Sequence, residues 1–233
     1  MFTIEVAGHR FQIENKYDFI QRLCQKYIVP NCDAKSISVT DEQIKAEDAR
    51  VEGYSEDYLE SLAVYRKICD FLVSHNIILF HCSALMIDGK AVLFTAPSGT
   101  GKSTHASLWR KHFGDRTMVI NDDKPLVKIE NGIATVYGTP WCGKHGLENN
   151  IAAPVDSIFI LSQAKENSVE KISPMQAYPM LLNQTYRPKQ DTEKMRKILT
   201  LVNEFIVITK LYNLKCNISN EAVLTAYNAM KGC

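Results

Sequence analysis

Apolar positions change rhythm part-way along the chain. Residues 1–15, MFTIEVAGHRFQIEN, alternate about a central AGHR and predict a hairpin. In YDFIQRLCQKYI, residues Phe19, Ile20, Leu23, Cys24 and Tyr27 recur at helical intervals. Residues 36–53 are too polar to show a period and read as a short strand with loops. A longer helix follows, with Ser55 as its cap and Leu59, Leu62, Ala63, Ile68, Cys69, Phe71 and Leu72 as its buried stripe. From residue 77 the apolar residues gather into unbroken runs of strand length. IILFHCSALMI and AVLFTA predict two strands joined by a tight Asp-Gly turn. KSTHASLWRKHF predicts a helix, TMVIN a buried strand, PLVKIENGIATVYG a hairpin over Asn-Gly, and VDSIFILSQ another strand. Helical spacing then prevails near 173–185, 191–206 and 219–230. The expected organisation is an N-terminal accessory α+β region at 1–76 and an α/β core at 77–233.

Between AVLF and the helix lies APSGTGKS, residues 96–103. A phosphate cradle needs backbone N–H groups converging on one point, small residues on the tight path, and a helix N-terminus behind them. Ser98, Gly99, Thr100, Gly101, Lys102, Ser103 and Thr104 supply such a cradle. Lys102 is placed to reach β- and γ-phosphates, and the Ser103 hydroxyl to ligate Mg²⁺. The strict pattern is GxxxxGK[ST], and Ala96 stands where its first glycine would be. The bland alternative is a glycine-rich turn with a chance Lys-Ser. The strand before and the helix after favour a nucleotide triphosphate or a similar polyphosphate.

Composition narrows the partners. Lys+Arg 27 against Asp+Glu 26 leaves a net charge of +1, so no global field draws the chain to nucleic acid or an anionic membrane. Hydrophobic residues at 45% and charged residues at 23% read as a soluble globular protein. No apolar run approaches the roughly 20 residues of a membrane helix. The opening residues lack the basic start and apolar core of a secretion signal. The 7 cysteines are scattered, without a CxxC pair, which argues against a disulfide framework or a zinc ribbon. A cytoplasmic location is expected. Oligomeric state is left open, a homo-oligomer included.

TMVIN is followed at once by Asp122 and Asp123. Phosphoryl transfer needs one carboxylate beside the metal and another to accept the proton of the attacking hydroxyl. Adjacent aspartates leaving a strand can diverge into both roles, although such a pair is often only a solvated turn. His81, upstream in LFHCSAL, reads either as a partner to these aspartates or as a hydrogen-bonded core histidine. His105 and Trp109, one turn apart, read as packing. YGTPWCGKHG offers Lys144 and His145 as cations for a loop over the phosphates, with Trp141 as the structural alternative. YRPK offers Arg187 and Lys189 as acceptor clamps or as a solvated turn. Nothing in the surroundings of Cys142 assigns it chemistry.

Taken together, HCSALMIDGKAVLFTAPSGTGKS and VINDDKPLV resemble the catalytic domain of the HPr kinase/phosphorylase family, whose fold is shared with the phosphoenolpyruvate carboxykinases. His81, Gly99, Gly101, Lys102, Ser103, Asp122 and Asp123 fall in order on that family's pattern, and the likeness spans about 78–165. It implies a phosphate-loop core with a mixed β-sheet flanked by helices. It also implies an ATP- and Mg²⁺-dependent kinase, in which Asp122 accepts the proton, Asp123 and Ser103 help hold Mg²⁺, and His81 keeps Asp122 ionised and aimed. The acceptor so implied is serine, in a peptide or protein or as the free amino acid. Residues 1–76 do not resemble that family's N-terminal domain, and no counterpart of its phosphorylase segment is visible. The rival expectation is a nucleotide-binding regulatory or interaction module that transfers nothing.

Overall fold

The computed structural model describes residues 1–31, 33–48, 53–143, 146–188 and 191–232. The chain opens with β1 (Phe2–Val6) and β2 (His9–Glu14), paired antiparallel. Their two-residue turn holds Ala7 and Gly8 at φ 50 and 77, the left-handed pair that matches the twist of a tight hairpin. After α1 (Asp18–Leu23) come β3 (Ile28–Val29) and β4 (Lys35–Ser38), giving a small sheet of order β3-β1-β2-β4. The polar stretch that follows is helical rather than looped, as α2 (Asp41–Asp48).

Helix α3 (Glu56–Leu72) covers this sheet and buries the expected stripe, apart from the half-buried Phe71. It also buries Glu60, an acid at a core position. The Glu60 carboxylate accepts from the backbone N–H groups of Lys16 (2.6 Å) and Tyr17 (3.2 Å), the orphan donors ahead of α1.

The second sheet is built from β5 (Ile77–Leu79), β6 (Ser83–Ile87), β7 (Lys90–Thr95), then, after α4 (Lys102–Phe113), β8 (Thr117–Asn121), β9 (Leu126–Glu130), β10 (Ile133–Tyr137) and β11 (Ala152–Gln163). Its order is β5-β9-β10-β11-β7-β6-β8. The remaining elements are β12 (Ser168–Lys171), α5 (Pro174–Asn183), α6 (Thr192–Ile208), β13 (Lys210–Cys216) and α7 (Asn220–Lys231). Strand β13 runs parallel to β11 and antiparallel to β12. Since β7 and β11 are parallel while β6–β7 and β9–β10 are antiparallel, the sheet is mixed.

Helices cover both faces. Ala91 and Leu93 of β7 enter the cluster shared with α5 and α6, whereas Val92 and Phe94 enter the cluster shared with α4 and α7. A strand buried on both sides therefore reads as an unbroken apolar run.

Two expectations need correction. IILFHCSALMI is not one strand. The chain breaks after Leu79, where Phe80 N–H donates to Pro125 O (3.3 Å) and His81 N–H to Gln184 O (2.8 Å), so β5 joins β9 while β6 joins β7. The C-terminal third, expected to be mostly helical, also holds β12 and the seven-residue β13. Strand β12 (SVEK) is short and charged, as exposed edges commonly are, and so leaves little hydrophobic signal.

Candidate functional site

The loop after β7 begins at Ala96, which is buried and takes no left-handed conformation, so a glycine is not required there. Gly99 and Gly101 do adopt it, at φ 80 and 112. No side chain caps α4, and its first-turn N–H groups open directly onto this loop. Lys102, the first residue of α4, curls back so that its ammonium donates to Ala96 O (3.0 Å) and Pro97 O (3.4 Å). Burial lowers its pKa, and the Asp123 carboxylate works against that shift. Thr95 Oγ1, just before this loop, donates to His81 O (3.1 Å).

Asn121, wholly buried at the end of β8, shapes the acidic turn. Its Oδ1 accepts from the N–H groups of Asp123 (2.8 Å) and Lys124 (2.7 Å). Its Nδ2 donates to Thr139 O (3.0 Å) and Trp141 O (3.2 Å). One amide thus fixes the aspartate pair and moors the loop that follows β10.

The two aspartates diverge. Asp122 is buried, and its Oδ1 accepts from Gly143 N–H at 2.6 Å. A Cβ on Gly143 would stand 3.1 Å from both oxygens of that carboxylate, so only glycine allows this approach without displacement. Asp123 points to His81, whose Nε2 lies 2.9 Å from its Oδ1, and to the Lys124 ammonium. Burial works to raise the Asp123 pKa, but the His81 hydrogen bond and the Lys124 charge outweigh it and bring it to about 2. The family resemblance had implied that His81 serves Asp122. Its partner is Asp123.

A cavity of about 300 Å³ adjoins this pair, lined by Tyr65, Arg66, His81, Asp123, Lys124 and Tyr186, among others. Tyr65 and Arg66 come from α3, in the region expected to be accessory. Arg66 Nε donates to Glu47 (2.5 Å) and its guanidinium lies 5.4 Å from the Tyr186 ring centroid. Sequence reasoning passed over Arg66, because an arginine on the flank of an amphipathic helix looks like surface. It pointed instead to Arg187, one residue beyond the Gln184–Tyr186 stretch that lines the cavity. Lys124 and Asn121 were also missed, although both touch the quoted DD and could have been weighed with it. Lys144, with His145 and Lys189, lies outside the described residues.

Trp141 is the core anchor that was the structural alternative for its loop. Its ring stacks on Tyr65 at 4.0 Å and 5°, and its Nε1–H donates to Ser61 O at 2.9 Å. Burial pushes the Cys142 thiol up to about 11, leaving it protonated and inert. His105 packs against Phe94, and burial lowers its pKa to about 4. Among the described residues, no helix is long and apolar enough to cross a membrane.

Fold and site together define a mixed α/β protein in which an uncapped, glycine-rich loop faces a divergent acidic pair. The sequence model of the family described as "SynChlorMet cassette protein ScmC" matches residues 58–221, well over half of the chain. The chain belongs to that family. The matched stretch starts within α3 and so takes in the cavity wall as well as both loops. A solved structure, the HPr(Ser) kinase/phosphatase from Coxiella burnetii, aligns over 66% of this chain and 97% of that one, with 16% identity and a TM-score of 0.36. That likeness is too loose to carry an argument about fold or chemistry. No curated protein matches the chain.

Proposed function

We propose that the protein is an ATP- and Mg²⁺-dependent phosphotransferase that moves the γ-phosphoryl group to a hydroxyl, with serine in a peptide, in a protein or as a small molecule for its acceptor. One observation carries this reading: Thr95 Oγ1, at the end of β7, donates to His81 O (3.1 Å) and the His81 ring meets Asp123 at 2.9 Å, so the uncapped helix that Lys102 opens and the acidic pair lie at the same end of the sheet. Glycine-rich turns without function have no reason to face such a pair.

The residues fit magnesium. Ser103 and Asp123 are hard oxygen donors, and no cluster of three or more metal-binding side chains occurs among the described residues. Two protein oxygens, with phosphate and water for the rest, suit a cation that keeps most of its shell. Bound there, Mg²⁺ would neutralise charge on the phosphates. Ser103 and Asp123 are the residues that would hold it.

The chain's own groups divide the remaining work. Loop amides and Lys102 hold the phosphates. A carboxylate held at about 2 is a poor proton acceptor, which leaves Asp123 to the cation side. Asp122, its plane set by the Gly143 N–H, accepts the acceptor's hydroxyl proton. His81 and Lys124 position Asp123. The α3 wall and the Gln184–Tyr186 segment enclose the acceptor, so residues 1–76 share acceptor binding with the 77–233 core.

Asp122→Asn keeps the Oδ1 acceptor for Gly143. It should fold and bind ATP unchanged while transfer falls by about 10²-fold or more. ADP release with and without serine-containing acceptors is the measurement. Transfer at the normal rate in the variant removes Asp122 from its role. ATP binding with no ADP release from wild type under any condition points to a regulatory module instead.

A further inference from the structure

The α3 face that walls the first cavity runs on past it. Leu62, Tyr65, Arg66 and Cys69 line the cavity at the spacing of one helix face, and Tyr58 stands on that face one turn earlier. Tyr58 is half-buried, stacks on Tyr54 at 4.8 Å and 29°, and meets Phe19 of α1 edge to face at 6.0 Å. Tyr54 is 51% exposed, so the stack is open to solvent on its outer side. Tyrosine suits such a place, because one ring offers both an apolar face and a polar tip to whatever docks on it.

The ground around these rings is acidic. Asp18 precedes Phe19, and Glu56 and Asp57 lie between Tyr54 and Tyr58 in the chain. Their side-chain hydrogen bonds come from neutral donors, the Tyr17 hydroxyl to Glu56 (2.6 Å) and the Ser55 hydroxyl and Tyr58 N–H (2.8 Å) to Asp57. Lys16 is taken by Asp41 and Lys124 by Asp123. Among the described residues no cation pairs with Asp18, Glu56 or Asp57.

We propose that Tyr54, Tyr58 and Phe19 form a docking shelf for the acceptor, and that the acceptor is a polypeptide segment carrying an arginine or lysine near its serine. The proposal rests on the first cavity being the acceptor site, and it adds that free serine is a poor acceptor, since it has nothing to lay on the shelf. A cation over these rings is attracted by their faces and by the carboxylates together, whereas an acidic side chain is repelled. One helical turn from Leu62 to Tyr58 and the width of the stack span about 10 Å, and an extended chain advances about 3.3 Å per residue. The basic side chain therefore belongs about three residues from the serine.

The test uses the full chain with Mg²⁺ and ATP, and alanine-rich peptides with one central serine. At that spacing, before the serine or after it, the peptides carry arginine, alanine or glutamate, and free serine is the small-molecule control. Calorimetric binding and ADP release are read for wild type, Tyr54→Ala and Tyr54→Phe. Tyr54 is exposed, so its substitution leaves folding intact. One of the arginine peptides should bind and turn over about fivefold better than its alanine counterpart, with glutamate the poorest. Tyr54→Ala should bring arginine and alanine peptides within twofold of each other, and Tyr54→Phe, which keeps the ring face, should retain the preference. Equal handling of all peptides, a preference that survives Tyr54→Ala, or better use of free serine than of any peptide overturns the proposal. ADP release at equal rates with every acceptor leaves phosphotransfer standing while the shelf falls. Tyr54-dependent binding of an arginine peptide without ADP release keeps the shelf and removes the phosphotransferase reading instead. If no peptide binds and none stimulates release, the shelf is overturned.

Discussion

Asp123 and Gly143 show how single residues set the chemistry of this site. His81 and Lys124 take the Asp123 carboxyl from an ordinary 3.8 to about 2. The folded value lies below the unfolded one, so the resulting stabilisation is complete above about pH 4 and is lost as the pH falls toward 2. Urea unfolding across that range should show about 2 kcal/mol more acid-induced loss in wild type than in Asp123→Asn. Equal pH profiles would show that the carboxylate is not held as described. Gly143 acts by what it lacks. Gly143→Ala presses a methyl group on both oxygens of Asp122, and should cost about 1–3 kcal/mol while reducing transfer more than ATP binding. Thermal melts and ADP-release assays on that variant separate the two effects.

At the level of elements, the site depends on how loops are fastened to strands and helices. The segment after β10 is held by Asn121 from β8 and by the Tyr65–Trp141 stack from α3. Trp141→Ala removes a buried ring from that joint and should destabilise by about 3–5 kcal/mol, measured by urea denaturation. Sequence pattern foresaw much of this layer. Ala7-Gly8, Asp88-Gly89 and Asn131-Gly132 each turn a hairpin with both residues left-handed, so turn chemistry legible in the chain survives in the fold. The loop from Ala96 and the aspartates after β8 were visible for the same reason, since short motifs next to apolar strands carry their context with them. What escaped notice depends on tertiary partners. The break at Phe80–Cys82 is made by Pro125 and Gln184, and the choice of Asp123 over Asp122 by His81 is a matter of angle rather than spacing. Arg66 becomes a cavity residue only because α3 lies where it does.

Over the whole molecule, the division at residue 76 does not coincide with a division of the core. Ile77, Leu126 and Trp141 belong to the same apolar cluster as Phe2, Phe11 and Leu59. The Lys26 ammonium meets the Glu148 carboxylate at 2.6 Å, and Asn150 Nδ2 donates to Lys26 O at 3.2 Å, so the N-terminal region grips the core a second time at 148–150. A fragment of residues 77–233 should therefore fail to fold cooperatively, losing its near-ultraviolet dichroism and exposing dye-binding apolar surface. A sharp melt close to that of the full chain would restore two independent domains.

The chain has 2 tryptophans, and they sit on opposite arms of the site. Trp109 projects from α4 into contact with Phe94 and Tyr227, and Trp141, on the loop after β10, lies face to face with Tyr65 of α3. Each indole is thus a built-in optical probe of a different side of the site. With Trp109→Phe, the remaining emission comes from Trp141 alone, so any change at the Tyr65–Trp141 joint on adding a proposed acceptor can be followed in real time without a label.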